Sequence, residues 1–439
     1  MLRLRSNVLS PPNLVPKAPE LPEKSAQITE NSASPRGWLV VAALFLMLSI
    51  IITARNSMGL MMPFWKDDMG WSYKFVSTAS AAMLITMAVI APVVGSVIDR
   101  LGSRMIYATG MTVIGTVFIL CSFMTEPWQL IALFSIVGGA AFAAMAPSLV
   151  STTIAQHFTG RIGLATSIAT SGSTGGQFAL MPLLAFLVTL TSWRQSYFML
   201  GIAVFVTAVV VFLLIGREAP RPRPAKGSPG ASTMLGTLGA LVRVRTFWLL
   251  GSSFFICGFT TAGVIKVHLI PYAVSCGFPP VQSATAYGVL SLFSLIGMIS
   301  YGWLSDRYHR PALLASCYFV RALTFIMLMY IAGNTPLLFI FAALFGIFDY
   351  ATFPIVASLV ATHIGRNVMG ITMGLIFALH SVGGAMGSFM GGWLFEAFAR
   401  YDWVWMVSVL LAFLAAFLSI LIKENREPQT LRAMRRVTA

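Results

Sequence analysis

The feature that most constrains this chain is a series of apolar runs, each about as long as a bilayer is thick. The runs 38–53, 79–98 and 198–215 contain no charged residue. A helix of about 20 apolar residues crosses the roughly 30 Å hydrocarbon core of a membrane, and helices satisfy their own backbone hydrogen bonds in lipid. Composition agrees, because 57% of the residues are hydrophobic and only 10% are charged. The sequence therefore predicts an all-α membrane protein rather than a water-soluble one.

Twelve transmembrane helices are predicted, so that both termini lie on the same side of the membrane. Their bounds are 38–62, 73–98, 104–123, 128–153, 161–190, 195–215, 247–272, 281–303, 311–332, 337–361, 367–396 and 403–422. Of the 29 Lys and Arg residues, 22 fall in the tails and loops on the terminal side, and the other side holds Lys66, Lys74, Arg194 and Arg400. Because cytoplasmic loops carry the excess of positive charge, we expect both termini in the cytoplasm.

The segments between the helices predict the domain organisation. Residues 1–36 are rich in Pro, Ser and charge, which is typical of a disordered tail, and the apolar run that follows is too long for a signal peptide. Residues 216–246 are rich in Pro, Gly and Arg, which favours a cytoplasmic linker. This linker separates two predicted six-helix bundles at 37–215 and 247–423, and residues 424–439 form a second cytoplasmic tail.

The two predicted bundles share motifs at a nearly constant offset of 207 residues. The clearest pair is GSVIDR in the first bundle and GWLSDR in the second. The matching residues are Gly95 and Gly302, Asp99 and Asp306, Arg100 and Arg307, Pro147 and Pro354, and Trp193 and Trp403. Parallel repeats of six helices are a transporter architecture, in which the solute site lies near the bilayer midplane between the halves.

These motifs resemble those of a known family. GSVIDRLGSR resembles the helix 2–3 loop motif of the major facilitator superfamily, and GWLSDRYHR is a weaker copy that lacks the later Gly. The matching positions are Gly95, Asp99, Arg100, Gly102 and Arg104. The resemblance covers residues 37–423 and implies two pseudo-symmetric bundles that work by alternating access.

The segment HFTGRIGLATSIATSGSTGG, around the fifth predicted helix, resembles the monocarboxylate-transporter branch of the superfamily. The matching positions are Arg161, Gly163, Ala165, Ser171, Gly172 and Ser173. This likeness implies an organic anion as the solute.

The repeated motifs also predict a gate. The family resemblance implies that these residues form a latch at the cytoplasmic surface instead of binding solute. The residues assigned to it are Gly95, Asp99, Arg100, Arg104, Asp306 and Arg307. Glycine allows helices to approach closely, and an aspartate can meet a helix N-terminus or a nearby arginine.

Ionisable groups inside the predicted spans are costly, which makes each one a functional candidate. Arg55 and Asn56 lie in the outer part of the first helix. Arg55 can bind a carboxylate with two parallel hydrogen bonds in a desolvated cavity. The alternative is that its side chain extends to the membrane surface.

Asp349 in the tenth predicted helix and His380 in the eleventh lie nearer the midplane. Either group can carry a coupling proton, and His380 can also contact solute. The alternative for Asp349 is a fixed ion pair with Arg321, and for His380 a hydrogen bond that holds two helices together. Arg321 lies on the ninth helix, which is peripheral in the family fold, so a structural role is favoured for it.

Two further sets of residues have open roles. Lys266 and His268, near the outer end of the seventh helix, are predicted to guard the entrance of an anion path, or else Lys266 extends to the interface. Ser173 and Gln177 on the fifth helix are candidates for hydrogen bonds to solute, although the neighbouring glycines explain the same segment by close helix packing.

Other functional classes lack support in the sequence. No phosphate-binding loop, metal-ligand spacing or nucleophile–base pair is visible, so no cofactor, metal or enzymatic activity is predicted. The basic residues flank apolar runs and form no stripe with aromatics, which argues against nucleic acid despite a net charge of +15. The four cysteines are expected to be small packing residues.

The sequence therefore predicts a secondary active transporter, monomeric, in a bacterial inner membrane. Its partners are the lipid bilayer, protons and a small organic anion, which the helix-five resemblance makes a monocarboxylate. The alternatives are a proton-coupled exporter of drugs or metabolites and a non-transporting membrane sensor. The sensor alternative needs a soluble output domain, which tails of about 36 and 16 residues do not provide.

Overall fold

A computed structural model describes residues 35–101, 103–145, 150, 153–154, 162–215, 241–364 and 369–424. Their regular structure is helical throughout. The helices are α1 (Pro35–Met69), α2 (Tyr73–Leu101), α3 (Ser103–Cys121), α4 (Pro127–Ala143), α5 (Ile162–Leu190), α6 (Trp193–Leu214), α7 (Arg245–Ser275), α8 (Pro280–Ser305), α9 (Arg310–Leu328), α10 (Thr335–His363), α11 (Met369–Phe398) and α12 (Asp402–Ile420). Within the described residues, eleven helices are long and apolar enough to span a membrane, and α4 is a shorter apolar helix. The predicted all-α membrane fold of twelve helices is confirmed.

The turns between helices follow the repeat in the sequence. Gly70, after α1, has φ of +67°, and Gly277, after α7, has φ of +91°. Positive φ favours glycine because a Cβ atom would clash there, so these two glycines end equivalent helices. The predicted linker and both tails lie largely outside the described residues, and the predicted domain boundaries stay a prediction.

Helix packing repeats between the two halves. In the first half, α1 packs against α5 and α6, α3 packs against α6, and α2 packs against α4. In the second half, α7 packs against α11 and α12, α9 against α12, and α8 against α10. Adding six to each helix number converts the first set into the second, which is the pseudo-symmetry expected of two six-helix bundles.

The two halves meet along α1 with α7, α2 with α11, and α5 with α8. We name the membrane face at which α1 begins and α12 ends the terminal face, and the other side the opposite face. Several contacts between the halves lie near the opposite face. Ser388 Oγ donates to the carbonyl of Ser77 at 2.9 Å, the rings of Tyr73 and Phe395 stack at 5.1 Å, and α1 meets the Lys266–Ser275 part of α7. The interface is therefore tightly packed on the opposite face.

Helix α10 is interrupted in its middle. Its two segments are Thr335–Asp349 and Thr352–His363. Pro354, in the first turn of the second segment, has no N–H with which to bond the carbonyl of Tyr350 four residues earlier, and its ring disfavours a continuous helix there. The equivalent proline of the first half, Pro147, lies outside the described residues.

The break leaves carbonyl groups without helical partners, and Arg321 on α9 supplies donors for them. Its Nε and Nη2 donate to the carbonyl of Phe348 at 3.0 and 2.6 Å, and Nη2 also donates to the carbonyl of Asp349. Nη1 donates to Cys257 Sγ on α7 at 3.1 Å. Arg321 is fully buried, so this guanidinium fixes the broken ends of α10 against α7 and α9.

These contacts give Arg321 the structural role that the sequence favoured, but they revise two other expectations. Arg321 and the Asp349 carboxylate form no ion pair, because Arg321 bonds the Asp349 main chain instead. Cys257 is more than a small packing residue, since its sulfur accepts a hydrogen bond from a buried cation. Sequence spacing alone gave no sign of this contact between α7 and α9.

A second buried arginine joins helix ends at the terminal face by hydrogen bonds. Arg310, the first residue of α9, donates from Nε to Glu424 at 2.7 Å and from Nη1 to Ser358 and Thr362 of α10 at 3.0 and 3.1 Å. His309 lies 3.3 Å from the other Glu424 oxygen. Glu424 follows α12, so the cluster connects α9, α10 and the end of α12.

We predict that Arg321→Lys destabilises the protein. Lysine keeps the charge but presents its donors from one point, so it does not span three acceptors as the guanidinium does. Losing charged hydrogen bonds in a buried site costs on the order of 3 kcal/mol. Thermal unfolding of purified protein in detergent should show a lower Tm for Arg321→Lys. The exposed Arg400, paired with Asp402 at 2.6 Å, provides the control Arg400→Lys, and equal Tm values for the two variants would contradict the assigned role.

We predict a pH-dependent effect of Glu424→Gln. Burial alone raises the pKa of Glu424, but the hydrogen bond and charge of Arg310 outweigh it and lower this pKa below the ordinary 4.5. The ionised pair therefore contributes stability fully above pH 4.5, and the contribution disappears as the pH falls through the lowered pKa. Glu424→Gln should lower the Tm at pH 7 and match the wild type in strong acid.

The control for this experiment is Glu396→Gln, because Glu396 is an exposed carboxylate at the opposite face. That variant should leave the Tm close to the wild-type value at both pH values. A Glu424→Gln effect that is equally large at low pH would show that the charge of the carboxylate is not what stabilises the cluster.

Candidate functional site

Arg55 lies close to the middle of α1. The sequence prediction ended the first helix at residue 62, and this was wrong, since α1 continues to Met69. Pro63 lies inside the helix without ending it. Arg55 is therefore 14 residues, or about 21 Å, from the end of the helix, too far for its side chain to reach the opposite face. Arg55 is half-buried and makes no hydrogen bond or ion pair within the described part of the chain.

A second cation approaches the same region from α7. Lys266 Nζ donates to the hydroxyl of Tyr350 at 3.0 Å and lies 4.6 Å from the centre of that ring. Its electrostatic neighbours include Asp349 and Arg55. An α-helical segment begins at Lys266, directly after a π-helical segment of α7, Gly258–Ile265, and such local rewinding often marks a functional position.

The side chain of Asp349 is placed by the break in α10. Its carboxylate is buried and forms no hydrogen bond or ion pair with the described residues. It lies within electrostatic reach of Lys266 and of the Tyr287 hydroxyl on α8. The carboxylate of Asp349 therefore has no donor among the described side chains and lies near Lys266, whose ammonium group bonds the Tyr350 hydroxyl.

Polar groups of α1, α5 and α8 complete one side of this region. Asn56 Nδ2 donates to Gln177 Oε1 at 2.9 Å, and Gln177 Nε2 donates to the carbonyl of Ser173. The hydroxyl of Ser173 donates to the carbonyl of Thr170 within α5 at 2.7 Å. The side-chain amide of Asn56 also lies near the hydroxyl of the buried Tyr287, although the two groups do not meet in full hydrogen-bond geometry.

We name these groups the central polar cluster. It consists of Arg55, Asn56, Gln177, Lys266, Tyr287, Asp349 and Tyr350. Both halves of the molecule contribute, through α1 and α5 on one side and α7, α8 and α10 on the other. With Asp349 ionised the cluster carries a net charge of +1, and inside a membrane this arrangement favours a small anion.

The described contacts of His380 to other helices are with α7 and not with the residues of the central polar cluster. Its ring packs 4.8 Å from Phe254 of α7, and its electrostatic neighbour is Cys257. At Gly258, a Cβ atom would meet the backbone of His380 at 1.9 Å, so α7 and α11 pack directly at this level. His380 remains partly exposed, and its predicted contact with solute or protons stays a prediction.

His268 is part of the closed contact near the opposite face. Its ring is fully buried, with Nε2 3.1 Å from the carbonyl of Ser388 and 3.5 Å from Ser77 Oγ across the interface. Nδ1 lies 3.4 Å from the Tyr401 hydroxyl. His268 therefore joins the halves where they meet, whereas Lys266 belongs to the central polar cluster. The entrance role of both residues stays a prediction.

The predicted gate residues lie near the terminal face. Arg104 Nε donates to the carbonyl of Phe212 at 2.9 Å, and its guanidinium lies over that ring at 3.9 Å, so it ties the start of α3 to the end of α6. Arg307 stacks on Trp303 at 3.7 Å, and Asp306 is exposed after the end of α8. The backbone of Gly95, Asp99 and Arg100 is helical within α2. The side chains of Asp99 and Arg100 lie outside the part of the chain that the structure describes. Gly102 and Arg161, which carry parts of the family resemblance, also lie outside the described residues.

A shallow pocket at the opposite face offers no comparable chemistry. Phe64, Asp68, Trp193 and Arg194 are among the residues that line it. Asp68 accepts a hydrogen bond from the Trp193 indole at 2.9 Å and lies 3.8 Å from Arg194. The charges of Asp68 and Arg194 therefore compensate each other, whereas Arg55 in the central polar cluster has no such partner among the described residues.

The sequence analysis missed the two tyrosines of the central polar cluster. It weighed charged groups and histidines inside the spans but no tyrosine hydroxyls. The signal available was the position of Tyr350, directly after Asp349 and four residues before Pro354. Tyr287 offered no comparable signal, because only the packing of α8 brings it within electrostatic reach of Arg55.

Comparisons with known proteins agree with the fold and the repeat. The Major Facilitator Superfamily model matches residues 44–388 and 299–437. An uncharacterized MFS-type transporter, YcxA of Bacillus subtilis strain 168, is 26% identical over 88% of this chain and 95% of its own length. Monocarboxylate transporter 12 of Mus musculus is 26% identical over 88% of this chain and 84% of its own length. Monocarboxylate transporter 13 of Rattus norvegicus is 24% identical, with 90% of each chain covered.

Solved structures show the same fold at lower identity. A bacterial homologue of the human lysosomal transporter Spinster, in an inward-facing and unoccupied conformation, superimposes with a TM-score of 0.73 and 16% identity, covering 88% of this chain and 97% of the other. The nucleoside transporter NupG gives a TM-score of 0.72 with 13% identity, covering 88% and 98%. The matches, the twelve helices and the repeated loop motif lead to one conclusion. This chain belongs to the Major Facilitator Superfamily and is a multi-pass membrane transporter, not an enzyme.

Proposed function

We propose that the protein carries a small organic anion, a monocarboxylate, across the membrane together with a proton. The observation that carries the proposal is Arg55, a half-buried guanidinium in the middle of α1 that no described residue pairs. An uncompensated cation at this depth is costly, and a carboxylate that binds it with two hydrogen bonds removes that cost. The names of the monocarboxylate transporter relatives support the same class of cargo.

The charges of the central polar cluster limit the cargo to a small negative charge. Arg55 and Lys266 are cationic, and Asp349 offsets one of them while it is ionised. A monocarboxylate brings the total to neutrality in this state. A dicarboxylate would give the cluster a net negative charge whenever Asp349 is ionised, which is unfavourable inside the membrane. A monocarboxylate leaves the cluster neutral or positive whether or not Asp349 carries the proton.

Asp349 is the group to which we assign the coupling proton. Protonation of its carboxylate removes a negative charge from the site and strengthens the pull of Arg55 and Lys266 on an anion. By thermodynamic linkage, a bound anion in turn favours a protonated Asp349. The two bind and leave together, which is the condition for symport, and His380 is the second candidate for proton transfer.

Alternating access then requires that the packed contacts near the opposite face open as the terminal face closes. We assign the terminal face to the cytoplasm from the excess of basic residues there, in a bacterial inner membrane, and we assign the functional unit to a monomer. In this orientation the tight packing between α2 and α11 closes the outside. The gate residues Arg104, Asp306 and Arg307 lie on the side that must rearrange.

We predict that Arg55→Gln abolishes carboxylate uptake. Without the guanidinium the site loses its bidentate partner, and truncating one partner of a buried charge pair costs about 2–5 kcal/mol, or at least about 30-fold in affinity. Uptake of radiolabelled butanoate into proteoliposomes under an inward proton gradient measures the effect. Arg55→Lys should retain partial uptake, and the exposed Lys66→Gln on the same helix is the matched control.

Asp349→Asn separates the two rival transport mechanisms. For proton symport, this variant should still exchange carboxylate across the membrane but should no longer respond to the proton gradient. A proton-coupled exporter of drugs or metabolites predicts instead that Arg55→Gln leaves transport intact while Asp349→Asn abolishes it. That second pattern would overturn the proposal.

A further inference from the structure

Among the neutral polar groups of the central polar cluster, the hydroxyl of Tyr287 is the one that forms no hydrogen bond within the described residues. Tyr287 is 1% exposed, and its Oη makes no hydrogen bond within the described structure. Tyr350, Asp349 and Arg55 act on it electrostatically, and the side-chain amide of Asn56 lies near it but outside full hydrogen-bond geometry. The hydroxyl therefore faces the same groups to which we assign the cargo.

A buried hydroxyl without a partner is energetically unfavourable, by about 1–3 kcal/mol. Tyr287 shares this condition with Trp65, Ser196, Tyr318 and Trp405. The two tryptophans pack among other aromatic rings, and Tyr318 lies beside Arg321, whose donors are occupied. Tyr287 differs because Arg55, a cation without a hydrogen-bond or ion-pair partner among the described residues, lies within electrostatic reach of it.

The packing of α8 explains why Tyr287 is held in place. The next residue, Gly288, approaches the backbone of Phe178 on α5 so closely that a Cβ atom would lie 2.9 Å from its carbonyl oxygen. This contact crosses between the halves of the molecule. The Tyr287 hydroxyl is thus fixed to the second half at a point where α8 and α5 slide or separate as the transporter changes conformation.

We propose that Tyr287 is a specificity-determining residue that donates a hydrogen bond to a second acceptor on the cargo. The preferred class of cargo is then a small carboxylate that carries an additional oxygen acceptor, rather than a plain alkyl carboxylate. Arg55 binds the carboxylate and Tyr287 recognises the second oxygen. This inference rests on the proposed function, because it places the carboxylate at Arg55.

Recognition of this kind discriminates strongly. A cargo that satisfies the hydroxyl gains a hydrogen bond, and a cargo of equal size without the acceptor leaves the hydroxyl buried and unpaired. Discrimination against the alkyl analogue is therefore expected even though its apolar chain is easier to remove from water. The same argument predicts the reverse order once the hydroxyl is deleted, since an ether oxygen without a donor is costly to bury.

Two isosteric pairs of probes test the proposal. Methoxyacetate differs from butanoate, and 3-methoxypropanoate from pentanoate, by an ether oxygen in place of one CH₂ group. Each probe competes with labelled butanoate for uptake into proteoliposomes that contain the full-length protein. The wild type should prefer at least one ether over its alkyl partner by about 10-fold. Tyr287→Phe should lose or reverse this preference, which is measured as the ratio of the two inhibition constants within each pair and so does not depend on the absolute rate of uptake.

Tyr318→Phe is the matched control, because Tyr318 is also a buried tyrosine without a hydrogen-bond partner but lies on α9. It should retain the wild-type preference. The inference is overturned if wild type and Tyr287→Phe show the same preference, or if the wild type takes the ether and the alkyl member of every pair equally well. Either result leaves the proposed function intact. If neither butanoate nor any ether enters wild-type proteoliposomes, the proposed function fails and the inference fails with it.

Discussion

A polar group inside a bilayer must find a partner in the protein, and in this molecule that constraint is met most visibly at the interruption of α10. Pro354 prevents a continuous helix, and the carbonyls of Phe348 and Asp349 are left over. The buried guanidinium of Arg321 bonds both carbonyls and the sulfur of Cys257. Because the break is stabilised in this way, the side chains of Asp349 and Tyr350 turn toward α7 and α8 instead of continuing the regular surface of a helix.

Among the residues that the structure describes, two guanidinium groups lie well inside the membrane spans, and their surroundings differ in kind. Arg321 is fully buried and its nitrogen atoms have protein acceptors. Arg55 is only half-buried and has no such acceptor in the described structure. The difference separates a cation that holds the fold together from one that is free for a ligand. Lys266 is intermediate, since its ammonium group bonds only the hydroxyl of Tyr350.

Much of the architecture could be predicted from the sequence. The apolar runs gave the twelve helices, since length and hydrophobicity decide which segments cross a bilayer. The 207-residue repeat gave the pseudo-symmetry, which the packing of α1 on α5 and of α7 on α11 reproduces. The end of α1 was misplaced because a proline inside a membrane helix is not a reliable stop, and the seven additional residues move Arg55 toward the midplane.

The composition of the site was less predictable. Arg55 and Asp349 stood out because charge is rare inside membrane spans, and both act electrostatically on Lys266 and Tyr287. Neither the tyrosines nor the contact between Cys257 and Arg321 had a comparable signal, because each depends on which faces of α7, α8, α9 and α10 meet. His380 looked equivalent to Asp349 in the sequence, and only packing against Phe254 distinguishes it. Periodicity places residues on helices, whereas the assembly of a site depends on helix rotation and crossing.

The central claim is that the guanidinium of Arg55 binds the carboxylate of the cargo directly. Solid-state NMR measures this in lipid, from the dipolar coupling between ¹³C-carboxyl butanoate and ¹⁵N-labelled arginine side chains. Our account predicts a carbon–nitrogen distance of about 4 Å for the bound ligand, and loss of that coupling in Arg55→Lys. A bound carboxylate with no arginine nitrogen nearby, or a coupling that persists in Arg55→Lys, would contradict it.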